Sequence, residues 1–288
     1  MNKINQNRYC VIGDPIAHSL SPEIHRFVFQ KLDIGCHYEK VRVHPNDLES
    51  FIKESRETDR PGFNVTIPHK ETVMAWLDEI DELASNVGAV NTVANRNGKL
   101  TGYNTDVYGC RMALERAGWK NGKKVILLGA GGAARAVIHA LNLMNISRVV
   151  LFDIVLDRCE KIKTDFQKIK SIEIVTEPLN GANLQKQLID ADLLINATPV
   201  GMWPDVDKTP LPDPSWLAPG AAVFDLVPKP IQTRLLVEAE SRDIKTIQGL
   251  SMLIAQALAA DEIWFQRKLP EYLFDPLLKH IHQIMDRS

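Results

Sequence analysis

Residues 124–136 read KVILLGAGGAARA, and the reading of this stretch decides the fold. Val125, Ile126, Leu127 and Leu128 form an unbroken apolar run, the pattern of a strand buried on both faces. Gly129, Gly131 and Ala134 then match G-x-G-x-x-A, and residues 133–144 follow as a run rich in strong helix formers. Such a match is weak by itself. Here a strand precedes it, a helix follows, and a second strand over 148–152 leads to Asp153, at the spacing a dinucleotide fingerprint requires. Gly129 is expected to make the tight turn, Gly131 to let the backbone approach a pyrophosphate, and Ala134 to let the helix pack closely on the sheet. With Ala130, Gly132 and Ala133 completing the turn, the phosphates would meet N–H groups at the positive end of a helix. The alternative is a glycine-rich turn with no ligand. Asp153 can accept hydrogen bonds from an adenosine ribose and repels a 2′-phosphate, which favours NAD. A helix cap before Ile154 is its plainer role, and Arg158 is a cation that leaves NADP as the second cofactor.

Working outward, strands are expected at 171–175, 192–197, 221–226 and 245–247, with helices between several of them. A run of strand–helix units implies a parallel sheet with right-handed crossovers. The proline-rich residues 202–220 read as a surface loop, and helices are expected at 252–265 and 276–285. Before this series, strands are expected at 9–12, 38–43 and 62–67. A hairpin over 90–103 turns on Asn97-Gly98, since both residues tolerate positive φ. Ser21 is expected to cap a helix whose first turn holds Pro22. The fold class is therefore α/β: an N-terminal α/β substrate domain and a Rossmann-type, doubly wound parallel-sheet domain for the dinucleotide. The boundaries are 1–106, completed by C-terminal helices over 250–288, and 107–249.

The chain has 288 residues, 45% hydrophobic and 24% charged, with a net charge of −2. That charge implies no broad attraction to nucleic acid or an anionic membrane. Cys10, Cys36, Cys110 and Cys159 lie far apart without a C-x-x-C pair, so reduced, packed thiols and no metal site are expected. Neither a signal-peptide pattern nor a membrane-length apolar run is present, and a cytoplasmic chain is the expectation. The partner is expected to be a small molecule, and the assembly a monomer or homodimer.

The first domain carries four polar clusters: HSLSP (18–22), NVTIPHK (64–70), GAVNT (88–92) and GYNTD (102–106). Singly, each has a dull explanation, because serines cap helices and a lysine is usually a solvated charge. Together they place hydroxyls, amides, one lysine and one aspartate at strand ends and loops. That is the composition of a pocket for a small polyhydroxylated anion. With GDPIAHSLSP (13–22), GAGGAARA (129–136), NATPVGM (196–202) and GLSMLIAQA (249–257) added, nearly the whole chain resembles the shikimate dehydrogenase family, including quinate/shikimate dehydrogenases. The resemblance implies reversible hydride transfer between shikimate and a nicotinamide dinucleotide, with quinate as a second substrate. It implies that Ser19 and Ser21 bind the substrate carboxylate with Thr66 nearby, and that Asn91, Asp106 and Gln256 contact ring hydroxyls. It makes Lys70 the catalytic acid/base, and puts residues 196–202, with Thr198 among them, and Leu226 and Gly249 on the nicotinamide side.

Chemistry agrees with that division. The cofactor carries the hydride, so the protein must orient both partners and handle the hydroxyl proton. Burial disfavours an ammonium and a close carboxylate favours it, so Asp106 is expected mainly to position Lys70 and the hydroxyl. An ammonium also stabilises the alkoxide that develops as hydride departs. His18, His25 and His69 stay outside the catalytic set; His25 is expected to pack or make a polar contact, and His69 to be partly exposed.

Three positions depart from the family pattern. Arg26 follows His25 where many relatives have Asn, and Asp153-Ile154-Val155 replaces the Asn-Arg-Thr of NADP-preferring members. Pro228 stands where a tyrosine is usual, and proline offers no hydroxyl and no N–H. Another small hydroxy acid or polyol is thus an alternative substrate, and a nicotinamide-sensing module with no catalysis is a further alternative.

Overall fold

The computed structural model describes residues 7–58, 60–167 and 171–285. The chain forms two compact units, Met1–Asp106 with Ile254–Ser288, and Val107–Leu253.

In the first unit, β1 (Asn7–Gly13), α1 (Ser21–Lys31), β2 (Cys36–Arg42), α2 (Leu48–Glu57) and β3 (Gly62–Val65) follow in order. After them come β4 (Glu79–Ile80), α3 (Glu82–Val87), β5 (Thr92–Arg96), β6 (Lys99–Tyr103) and the start of α4 (Asp106–Arg116). The sheet order is β2-β1-β3-β5-β6-β4. β1 runs parallel to β2 and β3, whereas β5 is antiparallel to β3 and β6. Asn97 and Gly98 both have positive φ (54° and 85°), as the hairpin signal requires. β5 begins at Thr92 rather than Val90, because the Val90 and Asn91 N–H groups are donated to the Lys70 and Tyr103 carbonyls instead.

One core face gathers Cys10, Ile12, Ile52, Phe63, Val65, Val73, Val93 and Leu100, all buried. Burying each large apolar side chain is worth roughly 1.5–3 kcal/mol, which offsets the entropy of ordering the chain.

In the second unit, β7 (Lys124–Leu128), α5 (Gly132–Leu143), β8 (Arg148–Asp153), α6 (Leu156–Asp165) and β9 (Glu173–Pro178) form one half. The other half is α7 (Gly181–Leu188), β10 (Leu193–Asn196), β11 (Ala222–Asp225), α8 (Arg234–Glu240) and β12 (Lys245–Gln248). Every pairing is parallel and the order is β12-β11-β10-β7-β8-β9. Reading from β9, that is 3-2-1-4-5-6, the doubly wound order with its switch point between β7 and β10. Val125 to Leu128 have no exposure at all, which is why β7 is apolar without alternation. β9 lies later than the expected 171–175 and runs on to Pro178, paired with Asp153 at its far end. The loop over 202–220 carries one short 3₁₀ turn, Pro214–Trp216.

α9 (Gly249–Phe265) and α10 (Phe274–Met285) close the chain. From Ile254 onward these residues belong to the first unit. Trp264 anchors them there, donating its ring N–H to the Val93 carbonyl at 3.0 Å and packing on Tyr9 with ring centroids 4.6 Å apart.

Candidate active site

Three of the four polar clusters of the first unit converge on Asp106. The chain leaving β3 turns sharply, with the His69 N–H donated to the Thr66 carbonyl, and the Lys70 carbonyl accepts from Val90 N–H. Lys70 Nζ then donates to Asp106 Oδ2 at 2.6 Å, their side chains 16% and 7% exposed. Asn91 Nδ2 donates to the other carboxylate oxygen at 2.9 Å, to Thr105 Oγ1 at 2.9 Å and to Gln256 Oε1 at 3.2 Å. Four of the expected residues, Lys70, Asp106, Asn91 and Gln256, are thus joined in one hydrogen-bonded group.

Ser19 and Ser21 pair with each other at 3.2 Å, and Thr66 follows β3 with its N–H on the Ile12 carbonyl. The cap expected of Ser21 is not made. α1 begins at Ser21 itself, Leu20 occupies the cap position without a side-chain bond, and the Ser19 hydroxyl accepts the Ser21 N–H at 3.3 Å. Ser19 therefore serves the helix start, and the Ser21 hydroxyl, free of capping, accepts from Ser19 and contacts the Tyr38 hydroxyl. His69 differs from its expected partial exposure. It is buried, its Nε2 2.7 Å from the Val43 carbonyl, and that contact fixes the turn before Lys70. His25 is buried as a packing and polar residue, Nδ1 2.8 Å from Asp261 Oδ1. Asn64, Thr92 and Thr105 complete the buried polar group, yet sequence reasoning assigned them no role. Their presence in the NVTIPHK, GAVNT and GYNTD stretches was the available signal.

In the second unit the glycine turn has the geometry a phosphate cradle needs. Gly129 has φ of +97°, and a Cβ there would lie 3.0 Å from the Ala197 backbone and from Thr198 Cγ2, so only glycine fits. Gly131 is exposed and nothing lies within 4 Å of where its Cβ would be, so the turn is open to solvent. Gly132 and Ala133 begin α5, whose first-turn N–H groups have no intrahelical acceptors, and Ala134 is fully buried. Donor type and room both suit a dinucleotide pyrophosphate. Ala130 contributes otherwise: its N–H is donated to Asp153 Oδ2 at 2.8 Å. Asp153 Oδ1 accepts the Val155 N–H at 2.9 Å, so this carboxylate ties the turn to the end of β8. Each oxygen keeps a lone pair for a ribose hydroxyl. Ile154, beside it, is 85% exposed and carries no charge toward that position.

The loops after β10 and β11 are held by a group not foreseen from the sequence. Asn196 Nδ2 donates to Asp225 Oδ1 at 2.9 Å, Thr233 Oγ1 donates to Oδ2 at 2.6 Å, and the Val227 N–H reaches Oδ1 at 3.1 Å. Burial pushes the Asp225 carboxyl up to about 6, against the opposing pull of the bonds from Thr233, Val227 and Asn196. Asn196 Oδ1 accepts from the Thr198 N–H and hydroxyl, which orients Thr198, and Leu226 N–H is donated to the Asn196 carbonyl. Gly249 has a local reason that needs no ligand. A Cβ there would lie 2.5 Å from the Leu226 carbonyl oxygen.

A family model for the shikimate dehydrogenase substrate binding domain matches residues 11–93. A protein named shikimate dehydrogenase (NADP(+)) from Symbiobacterium thermophilum is 40% identical over 90% of this chain and 89% of its own length. The chain belongs to the shikimate dehydrogenase family. It is an oxidoreductase of the α/β architecture its relatives share. A solved shikimate 5-dehydrogenase from Thermus thermophilus, in complex with NADP(H) and shikimate, is 33% identical with a TM-score of 0.84. The superposition covers 95% of this chain and 99% of that one. The enzyme from Listeria monocytogenes, in complex with shikimate and NAD, is also 33% identical, with a TM-score of 0.85 over 99% of both chains. Among the described residues, no three His, Cys, Asp or Glu side chains gather as a metal would require, and no helix is long and apolar enough to cross a membrane.

Proposed function

We propose that this shikimate dehydrogenase family member interconverts shikimate and 3-dehydroshikimate, uses NAD in preference to NADP, and accepts quinate as a secondary substrate. The observation that carries the reading is the Lys70–Asp106 pair at 2.6 Å, with Asn91 on the second carboxylate oxygen. The first unit would serve as the substrate domain and the second as the dinucleotide domain.

Ser19, Ser21 and Thr66 would take the substrate carboxylate, and Asn91, Asp106 and Gln256 the ring hydroxyls. Lys70 would accept the hydroxyl proton during oxidation, return it during reduction, and stabilise the alkoxide between the two. Asp106 holds the ammonium in place. A bound nicotinamide supplies the hydride acceptor. Gly129, Gly131, Gly132 and Ala133 would cradle its pyrophosphate, with Ala130 acting through Asp153. Thr198, Leu226 and Gly249 shape the loops on the nicotinamide side.

Curated relatives are named for NADP(+), whereas this chain has Asp153 followed by uncharged Ile154 and Val155. An aspartate here repels a 2′-phosphate and the two residues after it carry no charge, which supports NAD, with Arg158 as the cation that would admit NADP second. Free cysteines accord with a cytoplasmic enzyme, either monomer or homodimer.

The test follows reduced nicotinamide by its near-ultraviolet absorbance, offering NAD or NADP with shikimate, quinate and other small hydroxy acids. Turnover of shikimate with NAD at the highest kcat/KM is expected. A higher kcat/KM with NADP would overturn the cofactor preference, and turnover of another hydroxy acid alone would overturn the substrate. Pro228 permits that second outcome, because the residue brings no hydroxyl to its position.

A further inference from the structure

Four donors point the same way through the first unit and end on Asp106. Tyr38 Oη donates to Asn64 Oδ1 at 2.6 Å, Asn64 Nδ2 to Thr92 Oγ1 at 3.0 Å, Thr92 Oγ1 to Asn91 Oδ1 at 3.1 Å, and Asn91 Nδ2 to Asp106 Oδ1 at 2.9 Å. Lys70 donates to the same carboxylate from the opposite side.

Backbone groups dictate this direction. Asn64 Nδ2 also donates to the Asn91 carbonyl at 3.2 Å, and a carbonyl can only accept, so Oδ1 must face Tyr38. Asn91 Oδ1 accepts the Thr105 N–H at 2.8 Å, and an N–H can only donate, so Nδ2 must face Asp106. Thr92 receives from Asn64 and has one proton to give. Its nearest acceptor is Asn91 Oδ1, at 3.1 Å against 3.3 Å for Thr105 Oγ1. The Tyr38 hydroxyl donates to Asn64, and the Ser21 hydroxyl stands behind it as a hydrogen-bond partner. Burial holds the tyrosine protonated, well above its ordinary range. The ring cannot swing away. It is 1% exposed and stacked on His25 at 4.2 Å with 12° between planes, and His25 is pinned by Asp261.

We infer that Tyr38 is a positioning residue for the reaction, its hydroxyl setting the direction of a buried donor chain that presents the Asn91 amide to Asp106 and thereby holds the carboxylate against Lys70. The inference rests on the reading of Lys70 and Asp106 as the proton-handling pair. Bonds aligned head to tail polarise one another, so losing the first weakens the last even though they share no atom. Phenylalanine at position 38 keeps the stacked ring and removes the hydroxyl, with its bond to Asn64 and its contact with the Ser21 hydroxyl. Valine at position 92 keeps the shape and cuts the chain in its middle.

The experiment compares Tyr38→Phe, Thr92→Val and the double variant with the wild type, well below their melting temperatures. Each single variant is expected to lower kcat roughly three- to tenfold. The solvent deuterium isotope effect on kcat should rise, because proton transfer becomes slower relative to other steps. Binding of shikimate to the Thr92→Val enzyme without dinucleotide, measured by calorimetry, should change less than about threefold, since that substitution leaves the Tyr38–Ser21 contact intact. The double variant should be no slower than the slower single one, since both break the same chain. Wild-type kcat and isotope effect in a folded Tyr38→Phe or Thr92→Val enzyme would overturn the proposal. So would loss of fold in both variants, which would make the chain purely structural. Lys70→Ala, run beside them, separates the two ideas: full activity there defeats the proton-handling reading itself, whereas its loss with Tyr38→Phe unaffected defeats only the role of Tyr38.

Discussion

The two units build their sites from different materials. In the first, the candidate groups are side chains, each fixed by others: Lys70 by Asp106, Asp106 by Asn91, and Asn91 by Thr105 and Gln256. In the second, the candidate groups are backbone N–H donors at a turn, and side chains such as Asp153 and Asp225 brace the loops. Such a contrast has a physical root. A dinucleotide pyrophosphate is recognised by charge and shape, which a helix terminus supplies with any small residues. A polyhydroxylated ring requires donors and acceptors placed one by one, and buried polar groups are tolerable only when satisfied.

Substitutions can test how separate the two kinds of site are. The largest effect is expected from Lys70→Ala, which should lower kcat by about 10²–10⁴ while leaving the dinucleotide Kd unchanged, read by quenching or enhancement of reduced-nicotinamide fluorescence. If the Kd moved with kcat, the division would collapse. Gly129→Val tests the opposite side. The φ of +97° and the 3.0 Å approach to Ala197 leave no room for a β-branched residue, so dinucleotide binding should weaken roughly ten- to a hundredfold. Shikimate binding, measured without cofactor, should persist.

A smaller change is expected from Asp153→Ser combined with Ile154→Arg, which removes a carboxylate and adds a cation at the ribose position. The ratio of kcat/KM for NADP to that for NAD should rise about tenfold or more. An unchanged ratio would show that the specificity lies elsewhere.

The smallest effect concerns pH. The Asp225 carboxyl sits at about 6 in the folded protein against 3.8 for its ordinary value, so the native state takes up this proton more readily than the unfolded chain. Stability from this group therefore increases as pH falls from 7 through 6, and the gain is complete below about 4. Relative to Asp225→Asn, the wild type should gain about 1 kcal/mol between pH 7 and pH 5, measured from urea midpoints at the two values. A constant difference would mean that the bracing loops relax around the charge.

How much of this could be read from the sequence differed between the units in the same way. Backbone sites have short, local signatures: the apolar run of β7, the glycine at +97° and Asp153 at its spacing are all visible along the chain. The parallel sheet of the second unit follows from the alternation of strands and helices, whereas its strand order does not, because the same alternation also builds closed barrels. Side-chain sites are assembled from distant segments, and Tyr38 meeting Asn64, or Asn91 meeting Gln256, has no local periodicity to betray it. Family resemblance supplied Lys70, Asn91, Asp106 and Gln256. Residues behind them, Asn64, Thr92, Thr105 and Asp225, went without roles because an Asn or Thr near a turn has an adequate local explanation. Ser21 shows the reverse error, a residue credited with a cap that its neighbour's hydroxyl makes unnecessary.

The closing segment of the chain bears on the order of assembly. The second unit is one unbroken run of sequence, whereas the first needs residues from both ends. During synthesis from the N-terminus, β1 through β6 emerge early without Trp264 to cover Tyr9 or Gln256 to meet Asn91. The second unit can complete its parallel sheet while those strands still wait. The hydrogen-bonded group around Lys70 and Asp106 is then completed late, once the segment that carries Gln256 has been synthesised.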